Sequence, residues 1–190
     1  RHLTNGRRPI THMTDLNGLR IRTPINAIMH STYEQFGAKV IPLSWDETFS
    51  ALSSMRIDGQ ENPYSVIADS KFWLAKQKYV VDNGTFLLTG PMLINENYFQ
   101  SLSKEHQALM IKAAQEAASF QWAWSDANRK KQVQILKENG MKFSKLKDKQ
   151  LWIETAKRLW PNYYEKIGYG DPMTGKILLE QILSTIYPDE

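Results

Sequence analysis

Two groups of residues in this chain have types and spacing suited to chemistry. Arg22 closes Leu19-Arg20-Ile21-Arg22-Thr23-Pro24, where apolar and charged residues alternate as along a half-buried strand. That alternation puts Arg20 and Arg22 on one face. Further on, Gly59-Gln60-Glu61-Asn62-Pro63 sets three hydrogen-bonding side chains between a glycine and a proline, which predicts a polar loop at a second strand end. A strand-end arginine and a polar loop can converge on one small anion. The planar fork of a guanidinium matches the two oxygens of a carboxylate.

The elements needed to position them are partly legible. Residues 1–13 read as polar and irregular, and Thr14-Asp15 with Gly18 as a capped turn before the strand at 19–23. Ile28, Thr32 and Phe36, four apart, predict a helix over 26–36 that stops at Gly37. Residues 39–43 read as a strand, and Ser44 with Glu47 as a capping box opening a helix over 45–55. Strand and helix in alternation predict βαβ units and a mostly parallel sheet. Beyond the polar loop, residues 65–75 read as a helix with Phe72 and Trp73 for packing, and 79–81, 86–88 and 92–95 as short strands. Ser103 caps a long helix whose face is traced by Leu109, Ala113, Ala117, Phe120, Trp124 and Ala127. It runs to about Asn139, with Gly140 as its stop, and so measures roughly 55 Å, more than one small lobe needs. Residues 141–143 read as a brief strand, 151–167 as an amphipathic helix broken at Pro161, and Asp171-Pro172 as the start of a last helix ending near Tyr187.

Composition narrows the function classes. With 190 residues, 42% hydrophobic and 23% charged, the chain is an ordinary globular protein of one domain or two small lobes. The net charge is +4 and the pI about 9.2, but acidic residues lie among the basic ones in most segments, against nucleic-acid binding. Apolar runs are too short for a membrane-spanning helix, and no basic stretch followed by an apolar one opens the chain as a signal peptide would. Cysteine is absent, which fits an oxidising compartment and many cytosolic proteins alike. The histidines at 2, 12, 30 and 106 show no metal-ligand spacing, so no metal or other cofactor is expected. No nucleophile elbow or phosphate-binding loop occurs. Glu61 with Asp58 or Asp46 could be imagined as a glycosidase pair with tryptophans stacking on sugar, but nothing sets two carboxylates opposite each other. Trp122, Trp124, Trp152 and Trp160 fall in helical stretches, as core or interface residues do. An enzyme is not expected.

Several motifs in order carry a resemblance over nearly the whole chain: residues 15–24, Phe36-Gly37-Ala38, residues 42–47, Asp58-Gly59-Gln60-Glu61-Asn62-Pro63, Lys71-Phe72, Ile94-Asn95 and Leu102-Ser103. The chain resembles the DctP-type family of extracytoplasmic solute-binding proteins that feed TRAP (tripartite ATP-independent periplasmic) transporters. The resemblance implies an α/β, periplasmic-binding-protein-like (type II) fold of two lobes joined by a long bridging helix. Residues 1–87 and 128–190 would form most of the second lobe, and 88–127 part of a first lobe that is otherwise missing. It implies a periplasmic protein that captures a small carboxylate, such as a C4-dicarboxylate, 2-keto acid, sugar acid or sialic acid, and hands it to a membrane permease; a sensor module with the same cleft is the alternative. Arg22 would pair with the carboxylate, its other role being a surface strand arginine. Asn62 would hydrogen-bond the ligand or stabilise a turn. Trp45 would wall the cleft or pack at its helix start. Arg1 matches a second ligand arginine, although a first residue can fray. Gln60 joins the ligand set, and it and Glu61 could instead serve the backbone. Phe86 would line the hinge or sit in the core. The partial chain is expected to associate with itself through the uncovered apolar face of residues 88–127.

Overall fold

Short strands separated by capped helices assemble here into one six-stranded sheet. The protein is described from a computed structural model over residues 1–186; the expected helix end at Tyr187 lies outside the described residues. The strands are β1 (His2–Asn5), β2 (Arg20–Thr23), β3 (Lys39–Pro42), β4 (Gly59–Asn62), β5 (Tyr79–Val81) and β6 (Lys142–Ser144). Their order is β3-β2-β4-β1-β5-β6. β1 runs antiparallel to β4 and β5, and the remaining pairs are parallel. The helices are α1 (Ala27–Gln35), α2 (Trp45–Ser53), α3 (Tyr64–Asp69), α4 (Glu96–Ser101), α5 (Lys104–Glu138), α6 (Lys149–Lys157), α7 (Tyr164–Ile167) and α8 (Pro172–Ile186).

The capping signals at Ser44 and Ser103 act as read, and Asn26 adds a cap that was not read from the sequence. Asn26 Oδ1 accepts from the Met29 amide at 3.1 Å, and Glu47 accepts from the Ser44 amide and hydroxyl. Ser103 Oγ accepts from the His106 amide at 3.2 Å and opens α5. Gly37 and Gly140, at φ +93° and +82°, end α1 and α5 in the left-handed conformation that glycine adopts without strain. Pro161 marks the break after α6, where the chain turns through a 3₁₀ segment into α7. Two cores flank the sheet: adjacent Val80 and Val81 belong to different clusters, one with Leu52, Ile67 and Leu136, the other with Leu3, Tyr33 and Trp152.

Four expectations need correction. Residues 2–5 are not irregular but form a central strand, and Gly59–Asn62 are not a loop but the buried strand beside it. Gly59 serves close approach and not a turn: a Cβ there would collide with the Thr4 carbonyl and meet Asn5 Cβ at 3.0 Å. Residues 86–88 and 92–95 are not strands; Phe86 packs toward the Tyr33 ring at 6.2 Å, while Leu87, Leu88, Met92 and Leu93 are exposed. The helix over 65–75 is two pieces, because Lys71 turns left-handed at φ +49° before a 3₁₀ turn over Phe72–Ala75. α4 had no sequence forecast. The expected apolar face of α5 is present but uncovered: Phe120 is 68% exposed and Trp124 45%. Of residues 104–127 only Gln107 is buried, whereas Val133, Ile135 and Leu136 further along pack into a core.

Where the chain enters β4, Asp58 ties three segments together. Its carboxylate accepts from Arg7 Nε at 2.7 Å and from Arg20 through the amide, Nε and Nη2 at 2.9–3.0 Å. Burial raises the Asp58 pKa, but the hydrogen bonds from Arg20 and Arg7 outweigh it and hold the carboxyl well below its ordinary range. A carboxyl depressed in the fold contributes stability that is present above its unfolded value and lost as pH falls through the folded one. Asp58→Asn is therefore expected to lower the melting temperature at neutral pH and to flatten its fall between roughly pH 4 and pH 2. Parallel melting curves for the two proteins across that range would show that Asp58 has no such role.

Candidate functional site

The cluster forms where β4 runs between β1 and β2. All four β4 residues are buried although three are polar, so each polar side chain needs an internal partner. Glu61, with no exposed side-chain surface, finds Arg1: Arg1 Nε donates to both carboxylate oxygens at 2.9 and 2.7 Å. Arg1 Nη2 donates to the Glu61 carbonyl at 3.0 Å and to Asn62 Oδ1 at 2.9 Å. The Arg1 side chain thus makes four hydrogen bonds, all to Glu61 and Asn62. The Asn62 amide then donates to Gln60 Oε1, Gln60 Nε2 to the Thr4 hydroxyl at 2.9 Å, and Thr4 to Gln77 Oε1 at 2.8 Å. Gln77 Nε2 ends the series on the Asp58 carbonyl at 3.3 Å. Each side chain in this series accepts from one neighbour and donates to the next.

On the other side of β4, Arg22 pairs in register with Gln60 and is only 3% exposed. Its Nε and Nη2 donate to the Leu43 carbonyl at 3.0 and 2.8 Å, and its guanidinium carbon lies 5.9 Å from the Trp45 ring centre. Among the described residues it has no carboxylate partner. Burial holds the Arg22 pKa below its ordinary value; nearby Glu61 opposes that and Arg1 adds to it. Burial likewise raises Glu61, against the hydrogen bond and charge of Arg1. Trp45, at the first position of α2, is 47% exposed and lies 6.0 Å from the Phe72 ring, so it both packs and presents a face to solvent. An open cavity of about 370 Å³ lined by Asn26, His30, Ser31 and Pro42 lies at the ends of β2 and β3.

The structure brings together Arg1, Gln60, Asn62 and Arg22, with Trp45 against Arg22. Gln60 is fully buried with both polar atoms engaged. Three participants escaped sequence reasoning: the Leu43 carbonyl, Thr4 and Gln77. The only signal for Thr4 was its register opposite Gln60, visible once β1 is known to be a strand. A second cluster was also missed. The His2 ring stacks on Tyr64 at 3.8 Å, the Tyr64 hydroxyl donates to Asp82 Oδ1 at 2.9 Å, and Arg129 of α5 lies 3.7 Å from the same oxygen. Burial pushes the His2 imidazole down to about 4, so it is neutral at pH 7.

Two guanidiniums thus flank β4 in a mostly parallel sheet: that of Arg1 holds the Glu61 carboxylate, while buried Arg22 has only the Leu43 carbonyl. The chain belongs to the bacterial extracellular solute-binding proteins of family 7, the DctP family, whose model matches residues 1–167. It is 32% identical over 184 residues to a solute-binding protein of Verminephrobacter eiseniae, covering 97% of this chain and 52% of that one. It is 32% identical over 143 residues to the 2,3-diketo-L-gulonate-binding periplasmic protein of Escherichia coli, covering 74% and 43%. The crystal structure of a TRAP periplasmic solute-binding protein from Rhodobacter sphaeroides, apo and open, superposes with a TM-score of 0.79 at 34% identity, over 88% of this chain and 55% of that one. The chain therefore has the fold of these proteins and spans about half the length of the relatives it matches.

Removing Glu61 would leave Arg1 buried without a counter-ion, and breaking a buried pair from one side costs about 3–5 kcal/mol. Glu61→Ala is expected to show a loss of that order in urea denaturation, and Glu61→Gln, which keeps an acceptor, a smaller one. Equal stability of Glu61→Ala and the parent would mean that the pair does not hold β1 to β4.

Proposed function

We propose that the chain is the carboxylate-gripping part of an extracytoplasmic solute-binding protein that captures a small organic acid and delivers it to the membrane permease of a TRAP transporter. One observation carries this reading: of two buried guanidiniums beside β4, Arg1 has a carboxylate and Arg22 has only a carbonyl. A buried charge without a counter-ion is costly, and a ligand carboxylate arriving at Arg22 would supply the missing partner. In this reading Arg22 is the anchor. Arg1 and Asn62 orient the acid through their remaining N–H groups, and Trp45 walls the cleft. Gln60 fixes the Asn62 amide without touching ligand. No bond is made or broken, so the activity is binding and not catalysis. The periplasmic location and the permease partner rest on kinship with proteins so described. The sugar acid named for the Escherichia coli relative makes polyhydroxy carboxylates the first class to try.

In the same reading residues 1–87 and 128–190 form one lobe, and residues 88–127 belong to the other. The exposure of Leu109, Phe120 and Trp124 on α5 supports this, since an apolar face that size is seldom left open in a soluble monomer. Closure of the lobes over the acid would exclude water and strengthen the Arg22 contact. The 190-residue chain alone is expected to self-associate through that face. Sedimentation should show species larger than a monomer, reduced by Phe120→Ser with Trp124→Ser. A clean monomer for the parent would remove the claim that this face needs cover.

The binding claim is tested on a chain extended to the length of its relatives, first by a thermal-shift screen of sugar acids, 2-keto acids, C4-dicarboxylates and sialic acid. Calorimetry with the acid selected should then find Arg22→Ala weaker by about 2–5 kcal/mol, or roughly 30-fold to several thousandfold. Arg22→Lys should recover only part, because a point charge lacks the fork. A loss below about threefold for Arg22→Ala would remove Arg22 as the anchor.

A further inference from the structure

The buried hydrogen-bond chain that begins at Arg1 ends somewhere specific. His2 faces Asn62 at one end of the β1–β4 pair and Asn5 faces Gly59 at the other, so Gln77 and Asp58 lie at the strand-end edge of the sheet, where β1 finishes and β4 starts, away from Arg1. At that edge a half-open cavity of about 230 Å³ is lined by Leu52, Met55 and Ile57 together with Arg7, Lys76 and Lys78, and both Gln77 and Asp58 border it. Its charge is positive. Asp58 is shared by Arg7 and Arg20, leaving that trio at +1, and exposed Lys76 and Lys78 enter no ion pair among the described residues. Its shape is imposed by the surrounding fold. Met55 and Lys76 are held left-handed at φ +59° and +62°, and Gly6 admits no side chain because a Cβ would meet the Lys76 carbonyl at 2.5 Å.

We propose that this cavity binds the head of an aliphatic monocarboxylate, and that its occupancy is transmitted to Asn62 through Gln77, Thr4 and Gln60. The apolar lining takes a short hydrocarbon tail and the two ammoniums take the carboxylate. The volume, about eight waters' worth, suits a chain of a few carbons. Gln77 is 3% exposed and borders the cavity, and its Nε2 has a second N–H to offer an anion. Each side chain in the series accepts from one neighbour and donates to the next, so re-aiming Gln77 disturbs the bond that orients Asn62. Any such coupling is reciprocal: an acid held at Asn62 would alter affinity at the cavity by the same factor. The proposal does not require the Arg22 anchor.

The test is an NMR titration of the 190-residue chain with sodium hexanoate, following the amides of Gly6 and Lys78 and the side-chain NH₂ groups of Gln77 and Asn62. All should shift with one midpoint near a millimolar, hexanol should leave them unmoved, and Lys76→Gln with Lys78→Gln should weaken binding at least about tenfold. No shift at Gly6, Gln77 and Lys78, or shifts that survive the double lysine change, overturn the site. A shift at Asn62 that persists in the double variant means that hexanoate reaches Arg22 directly, and overturns the transmission. Phosphatidylcholine vesicles with and without oleic acid separate a membrane-borne source from a free one. Co-sedimentation that needs both oleate and the two lysines supports the site with a bilayer acid; a response to hexanoate alone supports it with a soluble one.

Discussion

A carboxylate with no exposed surface sits in the middle strand of this sheet, and the geometry around it follows from how it is satisfied. Glu61 cannot stay charged there without a cation, and Arg1 supplies one with both oxygens engaged. That bond ties the start of β1, the one antiparallel strand among the described residues of the sheet, to β4. Buried ion pairs are weak devices for net stability, since desolvation cancels most of the attraction. What this one provides is orientation. With Nε and Nη2 committed to Glu61 and Asn62, the plane of the Arg1 guanidinium is set before any ligand arrives.

The elements legible in the sequence are those announced by a local pattern, either residue alternation or helix-end signals. The strand at Arg20–Thr23, the helix beginning near residue 26, the Ser44 and Ser103 caps and the stop at Gly140 all read correctly, although Arg22 and Thr23 prove to be buried. β1 and β4 read wrongly for one reason. Thr4, Asn5, Gln60, Glu61 and Asn62 are polar and buried, and rules that equate polarity with exposure assign them to loops. Their partners, Gln77 and Arg1, are distant in sequence, so no local pattern announces them. Residues 86–88 and 92–95 fail in the opposite sense: apolar runs that suggest strands have no paired strand among the described residues, and most of their side chains meet water. Of the candidate site, alternation put Arg22 at a strand end, but its proposed role came from the family resemblance. Arg1 came only through kinship, and the roles of Thr4, Gln77 and the Leu43 carbonyl only through geometry.

α5 shows the same division along a single helix. Its last turns insert Val133 and Leu136 into a core, and Arg129 reaches Asp82 beside the stacked His2 and Tyr64. Its first six turns bury almost nothing. A helix of 35 residues has little reason to stay straight over a length where only its backbone bonds and scattered i,i+4 pairs support it, such as Lys112 with Glu116. Packing against other apolar surface would supply the missing support, and the exposed Leu109, Phe120 and Trp124 are the residues to receive it.

The two arginines differ in a way that bears on selectivity. If Arg22 also had an internal carboxylate, the cluster would be neutral, and an incoming acid would have to displace a partner already held in ideal geometry. If Glu61 were absent, two like charges would face each other in a dry site and one guanidinium would lack fixed orientation. The observed arrangement avoids both outcomes. Arg1 is paired with Glu61 and oriented by its hydrogen bonds, while Arg22 is oriented by a neutral carbonyl and the Trp45 face, which direct it without cancelling its charge. One net positive charge among Arg1, Arg22 and Glu61 would, under the proposed function, favour one carboxylate and leave a second negative group without a cation in that trio. Under the proposed function, the remaining contacts to the acid would then fall to neutral hydrogen-bonding groups, a division that suits a hydroxylated monoacid better than a dianion.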